Sequence, residues 1–356
     1  KIQGRGDGTP VPVKRMSLEG GDYLRWSSDG ATMTWALGAQ FFRQTLDAAD
    51  PQKTTVVVEL PRARPSGSVL LSGARVITMK GDEVIPRGDV VVTDNRIVAV
   101  GAEGSVTVPN GARTIDVSGK TIMPGLVDVH AHMWPQWGVH SPQPYMYTVN
   151  LAYGVTTTRD PQTSTADVIS YGDAVDVGQI IGPRIYTTGP GIFNWDNVSS
   201  ADDAKEVMKR YSEFYLTETI KQYMAGDRRQ RQWIIMATKD QKITPTLEGG
   251  LDFKKNLTEA MDGYAGIEHT MPIAPMYKDV VQLMAHAGKE IALGVICPVR
   301  LLLRLAQGNF GRFPLGDVFD HQELEPVQQF RRRGFLLHAR HVADLIEKLE
   351  RFRHQA

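Results

Sequence analysis

LVDVHAH, residues 126–132, is the stretch from which the rest of the chain is best read. In an extended strand, residues i and i+2 face the same way. His130 and His132 are therefore predicted to leave one strand edge together. Leu126, Val127 and Val129 make the run apolar, and Pro124-Gly125 sets it off from what precedes it. Two neutral imidazoles on one edge can share a divalent cation, zinc being the usual partner. A lone H-x-H is weak; its place at the end of a buried strand gives it weight.

Downstream, strand-like runs alternate with helix-like ones. GVTTTRD, RIYTTG, TETIKQY, KITPTLEGG and AGIEHT are the strands. SADDAKEVMKRYSEFYL, residues 200–216, is a helix that opens on an N-cap serine and an acidic first turn. Strands recurring roughly every 30 residues with helices between them predict an α/β fold with a parallel sheet of the (β/α)8 TIM type. A full barrel takes ~250 residues, and the text after about Gly288 turns Arg- and Leu-rich. A partial barrel over 125–288 is expected, followed by an atypical segment, 289–356, read as helical. His338, His341 and His354 on that segment are read as surface residues.

Upstream, residues 63–124 hold short Val- and Ile-rich strands separated by Gly, Asp and Asn, which predicts a compact all-β unit. Residues 51–67, with Pro51, Pro61, Pro65 and Gly67, have a linker composition. Within 1–62, DYLRWSSDGATMTWALGAQFFRQTL pairs strands about an Asp29-Gly30 turn. A single hairpin cannot bury a core by itself.

Forty basic residues balance forty acidic ones in the 356. No overall field draws the chain to nucleic acid or to an anionic membrane. The single cysteine, Cys297, excludes an intrachain disulfide and any multi-cysteine zinc site; it is read as a buried apolar residue. No apolar run approaches the ~18 residues of a membrane span. The chain opens at Lys1 with no signal pattern, which suits a fragment or a processed chain.

TIMPGLVDVHAHMW, residues 121–134, resembles the P-G-[LF]-[IV]-D-x-H-x-H signature of the metal-dependent amidohydrolase superfamily. LAYGVTTTRDP, residues 151–161, is similar to the segment that ends that family's second barrel strand, and 63–124 resembles its small β-sandwich domain. Trp26–Gly30, WSSDG, resembles the W-S-P-D-G turn of TolB-type β-propeller blades, although the same residues also suit an ordinary hairpin. The resemblance is thus to the subgroup with a TolB-type propeller fused upstream, residues 1–62 being a terminal blade remnant. It implies one or two divalent ions, usually zinc, and hydrolysis of a C–N bond by metal-activated water. Relatives with such propellers are often exported, so a periplasmic or secreted location is the expectation.

The resemblance also implies further ligands. A lysine that becomes carboxylated ends the family's fourth strand, and TETIKQY offers Lys221; the alternative is a solvent-facing lysine. The fifth strand commonly ends in histidine, but ITPTLEGG offers Glu248, either a substitute ligand or a helix N-terminal charge. The sixth also ends in histidine, and GIEHT supplies His269. Asp160 and His140 fall on the same face, as pocket residues or as ordinary loop polarity. The eighth strand should supply a catalytic aspartate, and nothing in the chain matches it, so this fragment is expected to bind metal yet hydrolyse little. Two other readings stay open: a dipeptidase or prolidase-like enzyme acting on short peptides, and a non-catalytic propeller-type interaction protein with a degenerate barrel. Substrate, metal count and oligomeric state are not legible.

Overall fold

The computed structural model describes residues 14–296 apart from 15, 18, 135–139, 194–195, 197, 224–225, 251, 270, 274–275, 288–289 and 292–294. Cys297, His338, His341, His354 and the expected C-terminal helix lie outside the described residues.

Strands β1 (Asp22–Trp26), β2 (Thr32–Leu37), β3 (Gln40–Thr45) and β4 (Gln52–Thr55) form an antiparallel meander in that order. The expected turn is present. Asp29 accepts from Ser27 Oγ and from the Ala31 amide, and Gly30 takes φ 68°, a conformation that glycine adopts at little cost. β4 departs from the linker expected over 51–67: its polar QKTT sequence gains a backbone ladder with β3 that composition does not announce. The hairpin does not bury a core alone. Leu37 joins a cluster with Val207, Met208, Tyr211 and Tyr215 of the downstream helical segment, and Trp35, Phe42 and Phe214 form a run of aromatic contacts.

A second sheet runs β7 (Arg96–Ala102), β6 (Val84–Thr93), β5 (Ser68–Ile77), β8 (Arg113–Asp116), with β9 (Thr121–Ile122) also on β5. Its core is Ala74, Val76 and Val90. Buried Asp89 ties the bulged centre of this sheet together, accepting from Ser72 Oγ and from the Gly73 and Gly104 amides.

The remaining strands are parallel with one exception. β10 (Leu126–Asp128), β11 (Val155–Asp160) and β12 (Arg184–Thr187) pair in parallel, as do β13 (Thr219–Gln222), β14 (Thr244–Leu247), β15 (Gly266–Ile267) and β16 (Glu290–Ile291). An isolated parallel bridge, Ile192 to Gln222, links the two groups. β17 (Val295–Ile296) joins β10 antiparallel, which no strand of an all-parallel barrel would do. Among the described residues the strands do not close into a ring, so the chain shows a mixed α/β fold rather than a complete barrel.

Helices α1 (Tyr145–Ala152), α2 (Asp167–Asp176), α3 (Ala201–Lys209), α4 (Arg228–Asp240), α5 (Phe253–Asp262) and α6 (Lys278–His286) fill the connections. Ser200 caps α3 by accepting from the Asp203 amide, as its sequence predicts. α4 opens on a full capping box, Asp227 with Gln230. α3 passes into a π-helical turn, Arg210–Tyr215, which stops at Leu216 with φ 55°. The turn carries the aromatic residues that receive the N-terminal sheet.

Candidate metal centre

His130 and His132 stand just past the end of β10, not within it as the reading of 126–132 as one strand expects. Asp128 ends the strand and its carboxylate accepts the His130 amide, turning the chain there. The Ala131 amide still bonds to the Arg159 carbonyl of β11, so the histidine segment remains tied to the sheet. The two rings lie with centroids 5.4 Å apart at 88°. His269, beyond β15, brings its ring to 5.0 Å from that of His130. Two imidazoles bound tetrahedrally to one zinc, with Zn–N of about 2.0–2.1 Å, have centroids roughly 5 Å apart. Type and spacing therefore suit a divalent ion. The ring edges are not already converged: among the described residues no three His, Cys, Asp or Glu side chains form a finished ligand cage.

Each β10-segment imidazole meets an acceptor through Nδ1. His132 Nδ1 lies 2.9 Å from the Gln162 carbonyl oxygen and 3.7 Å from Asp160 Oδ1. Asp160 raises the pKa of His132 through their contact, against the effect of burial and with the help of the Gln162 carbonyl. His130 Nδ1 lies 3.2 Å from Glu268 Oε2, in ion-pair range but not aligned as a hydrogen bond, and both buried atoms are without a hydrogen-bond partner. A proton on Nδ1 in either ring leaves the lone pair on Nε2.

Lys221 is buried, with 1% of its side chain exposed, which removes the solvent-facing alternative. Its Nζ lies 2.5 Å from Glu248 Oε2 and 4.6 Å from the centre of the Tyr223 ring. Glu248 Oε1 lies 3.0 Å from His269 Nε2, so one carboxylate touches both the lysine and the third histidine. Glu248 precedes α5 by several residues, and Asp252 rather than Glu248 caps that helix.

Asp160 is wholly buried, with Oδ2 accepting the Met133 amide at 2.8 Å and Oδ1 the Gln162 amide at 2.9 Å. It ties the residue after His132 to the loop that follows β11. His140 stacks on Tyr171 at 4.2 Å and 4°; the described contacts do not bring it to the histidine cluster.

Three residues that sequence reasoning passed over bind the cluster from below. Arg159 Nη1 donates to Glu268 Oε1 at 2.8 Å, Arg159 Nη2 donates to Thr246 Oγ1 at 3.0 Å, and Thr246 Oγ1 donates to Glu268 Oε1 at 2.5 Å. Burial raises the Glu268 pKa, but His130, the Arg159 charge and Thr246 outweigh it and bring it down to about 2. The available signal was a charge of each sign, Arg159 and Glu268, placed beside Asp160 and His269 at strand ends.

No family model matches the chain. Adenine deaminase from Paracoccus denitrificans is 31% identical over 101 residues, which is 28% of this chain and 16% of that protein. A 5-methylthioadenosine/S-adenosylhomocysteine deaminase from Pelotomaculum thermopropionicum is 41% identical over 69 residues, 18% of this chain and 16% of its own. The matched stretch thus spans about a sixth of either deaminase. In fold, the chain is similar to a solved Xaa-Pro dipeptidase, with a TM-score of 0.50 at 20% identity over 63% of this chain and 66% of that one. No helix of the described residues is long and apolar enough to cross a membrane. The relatives and structural neighbours of this chain are members of the amidohydrolase superfamily, hydrolases of C–N bonds.

Proposed function

We propose that this chain is part of a metal-dependent hydrolase that cleaves a C–N bond in an amide, cyclic amide or related small molecule. The observation that carries the reading is the spacing of His130, His132 and His269, 5.0–5.4 Å between ring centres, at the carboxyl ends of parallel strands. His130 and His132 would hold a divalent ion, most simply zinc, with His269, Glu248 and Lys221 completing the set for one ion or two. When bound, such an ion lowers the pKa of water and polarises a carbonyl or an amidine carbon. The protein's own residues hold the ligands in place: Asp160 fixes the His132 loop, and Gln162 sets the His132 tautomer. A proton must still reach the leaving nitrogen, and where His130 and His132 alone hold the ion, the His269–Glu248 pair is left to carry it. His269 is half exposed, within reach of a substrate entering from solvent.

On the same reading, β10–β12 and β13–β16 are successive arcs of one (β/α) barrel, residues 63–124 its companion β-sandwich, and the N-terminal meander a TolB-type propeller blade. The four-stranded antiparallel order supports the last of these. Deamination, named for two relatives, and dipeptide cleavage, named for a structural neighbour, both break a C–N bond. A panel of purines, N-acyl amino acids, cyclic amides and Xaa-Pro dipeptides would separate them.

The test is zinc content by elemental analysis. Wild type dialysed against limiting zinc should retain it, and His130→Ala should lose it while keeping its circular dichroism spectrum. Equal zinc in both proteins would sink the metal reading.

A further inference from the structure

Of the two histidines that follow β10, His130 is the one whose ring meets no backbone acceptor. His132 Nδ1 meets a main-chain carbonyl, whereas His130 Nδ1 is buried without a hydrogen-bond partner and has the Glu268 carboxylate 3.2 Å away. A side-chain acceptor orients a ring only if it cannot itself turn. Glu268 cannot. Its side chain is 1% exposed, and its Oε1 is fixed twice, by Arg159 Nη1 and by Thr246 Oγ1. Arg159 closes the triangle by donating to Thr246 as well. Rotation of the carboxylate to release Oε2 would break both bonds to Oε1.

A buried Arg–Glu pair is weak evidence for stability, because removing two charges from water costs about as much as their attraction returns. A positional role is a better account of why these charges sit inside the fold. Arg159 is on β11, Thr246 on β14, and Glu268 follows β15, so three strands converge on a ring carried by the segment after a fourth, β10.

We propose that Glu268, locked by Arg159 and Thr246, is a positioning residue that fixes the His130 imidazole through Nδ1 and so presents Nε2 to the bound cation. The proposal rests on the metal reading above. It predicts a specific failure for Glu268→Gln. The glutamine oxygen keeps Arg159 and Thr246, which leaves its NH2 facing His130 Nδ1. That nitrogen must then accept, and the ring proton moves to Nε2, the atom the cation needs.

The experiment compares zinc affinity, by chelator competition, in wild type, His130→Ala, Glu268→Gln and Thr246→Val. Asp262→Asn serves as a control, since it weakens a buried ion pair with Arg231 and Arg228 on α4 that none of the ligand candidates touches. Nitrogen-15 spectra of the histidine rings report the tautomer. The expected result is a loss of about 10- to 100-fold for Glu268→Gln with the His130 proton moved to Nε2, and about three- to fivefold for Thr246→Val, the weight of one hydrogen bond. Asp262→Asn should lower stability and leave affinity alone. If Glu268→Gln does not fold, Thr246→Val alone decides. Wild-type affinity in the Glu268 and Thr246 variants, with zinc lost from His130→Ala, overturns this proposal and leaves the metal reading intact. Wild-type affinity in His130→Ala overturns both.

Discussion

Lys221 Nζ lies 2.5 Å from Glu248 Oε2, the lysine 1% and the glutamate 23% exposed in their side chains. The ammonium has almost no water to fall back on, whereas the carboxylate has some. Register places Lys221 beside Thr246, one strand from the Arg159–Glu268 pair, so the interior of the fold carries two separate charge pairs side by side. Removing the better hydrated partner leaves the more costly orphan.

Glu248→Ala should therefore destabilise the protein by about 3 kcal/mol in the absence of added metal. Replacing Lys221 by Met in the same protein should recover most of that loss, because the uncompensated charge is gone and the methionine fills the space. Urea unfolding of wild type, the single variant and the double variant checks this. A Glu248→Ala protein as stable as wild type would show that the pair carries no such weight.

Glu259 supplies the pH dependence. It sits on α5 with no exposed surface, and neither carboxylate oxygen has a hydrogen-bond partner; Lys255 approaches only to 3.9 Å. Burial lifts its pKa from 4.5 to about 7, opposed mainly by the Lys255 and Arg231 charges. The folded protein then binds a proton that the unfolded chain releases at lower pH. This contribution to stability is complete below pH 4.5 and is lost as pH rises through about 7. Glu259→Gln should flatten that slope and leave the protein about 1–3 kcal/mol more stable than wild type at pH 8. Thermal melts of both proteins across pH 4.5–8 decide it; parallel curves would remove Glu259 as the cause.

At the docking of the N-terminal sheet, Gly38 has φ +54°, and a Cβ there would stand 2.1 Å from the Phe214 carbonyl oxygen. That neighbour is backbone of the π-helical turn and cannot swing aside. Gly38→Ala should cost about 2–3 kcal/mol, combining overpacking with an unfavourable backbone angle. The damage should be local: limited proteolysis should release the β1–β4 segment faster while the parallel strands stay protected. Unchanged cleavage would mean that the sheet does not depend on this contact.

Periodicity made most of the strands legible. The runs around 155–160, 184–187, 219–222 and 244–247 are β-branched or apolar and bounded by helices, and each forms the strand expected of it. The α3 cap was equally plain, because Ser200 and Asp203 stand at fixed offsets. β4 was hidden, since Gln52–Thr55 has no apolar alternation, and its ladder to β3 with the Thr55–Gln40 side-chain bond depends on a neighbouring strand. At the site, His130 and His132 were found because a ligand motif is local. Glu268 and Arg159 were not, because what makes them matter is a contact across 109 positions of chain. Lys221 could be placed at a strand end, but its burial depended on neighbours that one strand does not specify.

Asp160 gives the last prediction. Its two oxygens accept one amide each, Met133 next to His132 and Gln162 in the loop after β11. Gln162 in turn offers the carbonyl that His132 Nδ1 meets. In Asp160→Asn the side chain has one acceptor and one donor group, so an NH2 must face a backbone N–H that points straight at it. Either the Met133 or the Gln162 amide is left buried and unpaired, at a cost of about 1–3 kcal/mol. The loop must move to relieve it, taking His132 away from His130. Asp160→Asn should thus lower thermal stability and zinc affinity together, whereas Asp262→Asn lowers stability alone. Equal zinc affinity in the two variants would mean that His132 keeps its place without Asp160, and that the carboxylate serves the fold and not the cation.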